Sequence, residues 1–210
     1  RTPIVVVPSA VDLDAFQPCE RPDGAPRPLS VVYLGSVGLR YRLDEAGKFV
    51  AALRRLRPEA RLTVVSRARP SLVGTMLDSS GLPREAWSLK ALNHAQVPEE
   101  LRRHDAGLFF LTQGLSEHGC SPTKIGEYWA CGLPVVTTSN VSDTEAIVRQ
   151  ERVGVVVQPD LASLEEGARN LVALLRDPDL SRRCRGAAKV AYSLDSSCER
   201  QAHLYQRLAP

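Results

Sequence analysis

The 210-residue sequence is poor in aromatics, at 5%, and nearly balanced in charge, with 27 Lys and Arg against 24 Asp and Glu. A net charge of +3 with no basic cluster interleaved with aromatics argues against a nucleic-acid surface, and suffices for a small anionic ligand. No CxxC pair occurs. The five cysteines, Cys19, Cys120, Cys131, Cys184 and Cys198, are odd in number and scattered, which argues for reduced thiols over a zinc site or a disulfide framework. No apolar run approaches the ~20 residues of a membrane span, and no signal peptide is recognisable. A cytoplasmic protein is expected, with any membrane attachment peripheral and made through sequence outside this chain. Repeats and low-complexity tracts are lacking too. The start at Arg1 instead of Met is expected for a piece of something longer. What remains, 43% hydrophobic and 24% charged residues, is ordinary for a globular domain with a sizeable core.

Apolar β-branched runs alternate with helical periodicities along the chain. Strands are expected at 4–7, 30–34, 61–66, 87–92, 107–111, 134–138 and 153–157. Between them, Leu43, Ala46, Phe49, Val50, Leu53 and Leu56 recur at helical spacing, and shorter helices are expected at 71–79, after Pro98 and at 144–150. Three helices close the chain, at 161–175, 178–192 and 195–208. The proline-rich stretch from Arg21 to Pro28 reads as a linker. Near-continuous apolar strands between helices imply an α/β fold, a parallel sheet covered on both faces. Ligands of such sheets bind outside the carboxyl ends of the strands, where strand order reverses. The loops after Leu34, Ser66, Leu92, Leu111 and Thr138 are therefore the places to look.

The loop after Leu111 leads into the most unusual stretch, LSEHGCSPTKIGEYWACGLPVVTT at 115–138. Ser121 is suited to cap a helix and Pro122 to open it, and Cys131-Gly132-Leu133-Pro134 supplies a stop, giving about three turns. Lys124 places a cation in the first turn, against the macrodipole. Gly126 costs roughly 1 kcal/mol against alanine in a helix interior. An anion on the helix N-terminus would explain both, with Lys124 neutralising it and Gly126 letting a ligand approach. Phosphate is the natural candidate. Taken singly, Lys124 and Glu127 would be surface residues, and the glycines at 35 and 38 a simple turn; their agreement gives them weight.

The run Ser-Pro-Thr-Lys, Gly-Glu-Tyr, Ala-Cys-Gly-Leu-Pro-Val-Val at 121–136 resembles the donor-binding signature of retaining glycosyltransferase family 4, enzymes with two facing Rossmann-like domains. Val7–Phe16 resembles the family's interdomain segment, Tyr33-Leu34-Gly35-Ser36-Val37-Gly38 its first strand and glycine loop, and Val153-Gly154-Val155 a further piece. The resemblance spans the chain, as the C-terminal half only. It implies residues 1–28 as interdomain segment and linker, 29–194 as the Rossmann-like nucleotide-sugar domain, and 195–210 as a helix returning to an absent N-terminal domain. It implies a UDP- or GDP-linked hexose donor, transfer with retention to a glycan, lipid or small-molecule acceptor, and no cofactor or metal. The carboxylate pairs Asp12/Asp14 and Asp177/Asp179 are accordingly not read as metal ligands.

By the same resemblance, Glu127 accepts from the ribose hydroxyls, and Lys124 with the Ser121 and Thr123 hydroxyls and the amides after Pro122 holds the diphosphate. Gly35 and Ser36 approach from the opposite loop, Leu92 meets the base, and Arg67 lies in the crevice. Gly119 and Cys120 complete the donor set, with Lys124 and Glu127 as the catalytic pair. Two departures stand out. Gly119 occupies the place of a sugar-binding glutamate eight positions before Glu127, with Glu117 out of register; and either Arg40 or Arg42 replaces the usual cations after the glycine loop. A non-catalytic nucleotide-sugar-binding or scaffolding relative is the alternative. A dinucleotide oxidoreductase is disfavoured, because GxGxxG spacing and an acidic residue ending the next strand are both missing.

Overall fold

A computed structural model describes residues 7–18 and 27–208. Its six strands, β1 (Ser30–Leu34), β2 (Arg61–Val65), β3 (Trp87–Lys90), β4 (Ala106–Phe109), β5 (Val135–Thr138) and β6 (Gly154–Val157), form one parallel sheet in the order β3-β2-β1-β4-β5-β6. The chain builds outward from β1 to β3, then returns to the other side of β1 with β4. The reversal lies between β1 and β4, and the crevice of the sheet opens there. The expected strand at 4–7 and the linker fall largely outside the described residues.

Side-chain alternation sends each strand's residues into two cores. Val31 and Tyr33 join α1 (Leu43–Leu56), α2 (Pro70–Asp78) and α6 (Leu161–Leu174) on one face. Val32 and Leu34 join α3 (Val97–Leu101), α4 (Thr123–Ala130), α5 (Thr144–Glu151) and α7 (Leu180–Tyr192) on the other. The helix α1 ends where expected because its apolar stripe and its charges agree: Asp44 and Glu45 lie in the first turn, Arg54 and Arg55 in the last. Other boundaries fall within a residue or two of the sequence reading. The last helix, α8 (Leu194–Leu208), carries mostly exposed side chains, Tyr205 among them.

The segment before β1 packs into the second core. Val11 and Phe16 are buried there, the Val11 N–H donates to the Tyr192 carbonyl at 2.8 Å, and Arg185 donates to the Leu13, Phe16 and Ala130 carbonyls. One guanidinium thus ties the entering chain to the end of α4. Asp12 and Asp177 each accept a backbone N–H two residues on, Asp14 and Asp179 respectively, so both carboxylates serve turns.

Candidate functional site

Strands β1 and β4 stop pairing at Tyr33 and Leu108. Beyond that rung Tyr128, fully buried on α4, takes the backbone groups that the ladder leaves: its hydroxyl accepts from the Leu34 N–H at 2.9 Å and donates to the Leu108 carbonyl at 3.2 Å. The phenol holds the crevice floor together where the strands part. Chain direction then changes at Gly35, whose φ of 137° favours glycine, and the Tyr33 hydroxyl donates to the Ser36 carbonyl at 2.8 Å. The glycine loop is thereby pinned from below.

A cavity of about 470 Å³ opens above this floor, lined by Leu34, Gly35, Ser36, Val37, Val65, Ser66, Arg67, Ala68, Leu92, His94, Val97 and Lys124. Of the residues expected from sequence it brings together Gly35, Ser36, Arg67, Leu92 and Lys124. Arg40, Gly119, Cys120, Ser121, Pro122, Thr123 and Glu127 do not line it. Ser66 and His94, on loops flagged by strand position, and Val97, the first residue of α3, line it without being expected from sequence. His94 has the Phe16 ring as neighbour, at 5.6 Å between centroids. An apolar lining that includes two cations, Arg67 and Lys124, suits a flat ring carrying an anionic group.

The helix α4 departs from expectation at its N-terminal end. It begins at Thr123 and runs eight residues, closer to two turns than three. Ser121 does not cap it: its hydroxyl accepts from the Ser9 N–H at 3.0 Å, and Pro122, in extended conformation, takes the N-cap position with no side-chain bond. The N-terminus therefore presents backbone N–H groups that no described side chain caps, a disposition favourable to an anion. Gly126 has a different cause from the one expected. A Cβ there would lie 2.6 Å from the Tyr192 ring and 2.8 Å from Val11 Cγ2, so the glycine serves helix packing and not ligand approach. Gly132, with φ 76°, does end the helix as expected.

Lys124 and Glu127 share one face of α4. Lys124 Nζ donates to both Glu127 oxygens, at 2.9 and 3.2 Å; the lysine is one-third exposed and the carboxylate is buried. One ammonium N–H remains for a ligand. Glu127 is buried and turned toward the lysine.

Arg42 is committed to Asp44 and Glu45, through Nε at 2.9 Å and Nη2 at 2.7 and 2.8 Å. The Arg42 hydrogen bonds to Asp44 hold that carboxyl below its ordinary range, against the burial that raises it. Arg40 ion-pairs through Nε with Glu117 at 3.2 Å and stays about half exposed. Of the two arginines the sequence left open, Arg40 is the one available. The Ser116 hydroxyl, with Thr112 and Arg40, keeps the Glu117 carboxyl below its usual range against the burial that raises it. Among the described residues no group of three His, Cys, Asp or Glu is placed to hold a metal ion, and no helix is long and apolar enough to cross a membrane.

A family model described as glycosyl transferases group 1 matches residues 28–177. No curated protein sequence matches. Among solved structures, the chain is similar to sucrose-phosphate synthase from Thermosynechococcus elongatus, at 17% identity and TM-score 0.73 over 96% of this chain and 52% of that one. It is similar to HepE of Anabaena in complex with UDP and glucose, at 14% identity and TM-score 0.70 over 94% and 55%. It also resembles the C-terminal domain of a glycosyl transferase group 1 family protein from Francisella tularensis, at 17% and 0.66 over 88% and 100%. Identities this low establish shared fold alone. The chain spans about half the length of the first two.

Proposed function

The chain belongs to the group 1 glycosyl transferases, and from that premise we propose that its crevice holds the nucleoside diphosphate of a sugar donor. One observation carries the proposal: at the strand reversal, a pinned glycine loop and Lys124 at the start of an uncapped helix line one cavity. Leu34, Leu92 and Val97 offer apolar surface to the base, while the α4 N–H groups and Lys124 receive the diphosphate. Glu127 aims Lys124, and accepts from the ribose once that lysine turns to phosphate.

The reaction proposed is transfer of a hexose, with retention, from a UDP- or GDP-linked donor to a glycan, lipid or small-molecule acceptor. As the sugar–phosphate bond breaks, negative charge builds on the leaving diphosphate. Fixed N–H groups, the helix dipole and Lys124 stabilise it without reorganisation. HepE, with UDP and glucose, supports that donor class. The acceptor belongs to the other half of the longer protein. Leu39 and Leu115, 94% and 91% exposed, are expected to face that half, and α8 to pack toward it. This chain alone is expected to bind donor without turnover. A non-catalytic relative is the second reading, on the ground that the expected sugar-binding glutamate is Gly119, whose Cα faces open space.

A thermal-shift panel of UDP, GDP, ADP and their sugars tests donor binding, because a ligand selective for the native state stabilises by RT ln(1 + [L]/Kd). Lys124→Ala and Glu127→Ala are expected to abolish the shift while leaving the circular dichroism spectrum unchanged. Binding like the parent's in both variants would remove the site assignment, and no shift with any nucleotide would remove the functional one.

A further inference from the structure

We propose that Glu117 is a positioning residue, which aims the Arg40 guanidinium at the diphosphate; this rests on the donor-site function above. The two residues belong to different loops, one after β1 and one before α4, and the backbone beneath them is stitched. Arg42 N–H donates to the Phe110 carbonyl at 3.1 Å, Thr112 N–H to the Arg40 carbonyl at 3.0 Å, and Tyr41 and Leu111 form an antiparallel bridge. Arg40 therefore emerges from a fixed point, directly after the glycine loop that lines the cavity.

Its side chain is oriented by a carboxylate with a built seat. Glu117 is 4% exposed at the side chain. Ser116 Oγ donates to Oε2 at 2.8 Å, Thr112 Oγ1 donates to Oε1 at 3.2 Å, and Arg40 Nε lies 3.2 Å from Oε1. Gly114 makes the room: a Cβ there would stand 2.7 Å from Oε2. The two hydroxyls already staple the local turn, so the ion pair to another loop adds nothing to that turn. What it adds is orientation. Nε stands 3.2 Å from the buried carboxylate as an ion pair, and the four N–H of the Nη groups make no bond to a described residue, on a side chain 47% exposed. That is the fork a phosphate takes bidentately. A lysine at position 40 would supply charge without a second point of attachment.

The test is calorimetric titration of UDP, GDP and the matching free nucleosides into the parent, Glu117→Gln, Arg40→Ala, Arg40→Lys and the Glu117→Gln/Arg40→Ala double variant. Glu117→Gln is expected to weaken diphosphate binding by about tenfold, the scale of one bond to a charged group lost, and to leave nucleoside binding unchanged. In the Arg40→Ala background it is expected to add nothing, because the carboxylate acts through the guanidinium. Arg40→Lys, which keeps the charge of a half-exposed side chain, is expected to bind almost as weakly as Arg40→Ala. Equal loss of nucleoside and diphosphate affinity in Glu117→Gln would mean a structural role and overturn the proposal. So would an undiminished effect in the Arg40→Ala background, or parental affinity in Arg40→Lys. A parent that binds nucleosides and nucleotides alike fails this proposal and keeps the crevice; a parent that binds neither fails the donor site as well.

Discussion

Replacing Tyr128 by Phe isolates one atom. The ring stays, the volume is nearly unchanged, and the buried packing of α4 against the sheet is kept. What goes is a hydroxyl serving two backbone groups at the strand reversal, 2.9 Å from the Leu34 nitrogen and 3.2 Å from the Leu108 oxygen. Leu34 is buried, so its N–H becomes an orphan donor at a cost of about 1–3 kcal/mol, while the Leu108 carbonyl, with a second lone pair, loses less. The expected destabilisation is about 2 kcal/mol, which for a domain of this length lowers Tm by roughly 4–8 °C. Burial holds the phenol well above its ordinary pKa, so it remains a donor throughout the usable pH range and the loss should be the same at pH 6 and pH 9. Urea denaturation followed by fluorescence gives the free energy, and hydrogen exchange at the Leu34 amide gives the location. A change below about 0.5 kcal/mol, the range of a neutral surface substitution, with unaltered exchange at Leu34 would refute the assignment of that rung to the phenol.

Gly126→Ala should destabilise by about 1–3 kcal/mol through overpacking against Tyr192, with nucleotide affinity of the folded protein unchanged; reduced affinity at parental stability would restore a ligand-facing role. His104 is buried between Glu100 and Ser30, and burial lowers its pKa despite the Glu100 hydrogen bond that raises it. The unfolded chain takes up that proton first, so stability is full above the ordinary histidine pKa and falls as pH drops below it toward the folded value. His104→Asn should flatten the pH dependence of the urea midpoint between pH 7 and 5, and parallel profiles would contradict this. The buried thiols of Cys131 and Cys184 are pushed up to about 12 by burial, whereas Cys198 is exposed. Iodoacetamide at pH 8 should modify Cys198 and spare the other two, as peptide masses would show; native modification of Cys131 would place it at the surface.

Features set by neighbours in sequence were legible. The apolar runs at 30–34 and 134–138, and the stripe from Leu43 to Leu56, needed only their own residues to declare strand and helix. Features that depend on a distant partner were not. Ser121 looks like a cap because nothing local shows that the Ser9 amide will claim its hydroxyl. Gly126 looks like a gap left for a ligand because Tyr192, which occupies the space, lies three helices further on. Arg40 and Arg42 look alike in sequence, and although Asp44 and Glu45, which claim Arg42, stand two and three residues on, the partner of Arg40, Glu117, belongs to a distant loop. The position rule for parallel sheets found the loops of the crevice, but which side chains point inward, Ser66 and His94 for instance, depends on how each loop turns.

The bond from Ser9 to Ser121 has a thermodynamic consequence. The hydroxyl that accepts from Ser9 keeps its own proton to donate, and accepting one hydrogen bond strengthens the other. A ligand that draws on that proton and the chain segment that supplies the Ser9 amide are thus coupled through a single oxygen. Such coupling is reciprocal: whatever free energy the docked segment lends to the ligand, the ligand returns to the docking of the segment. A load applied to the chain ahead of Ser9 would then register at the start of α4, and an occupant there would stiffen the chain where it enters the fold.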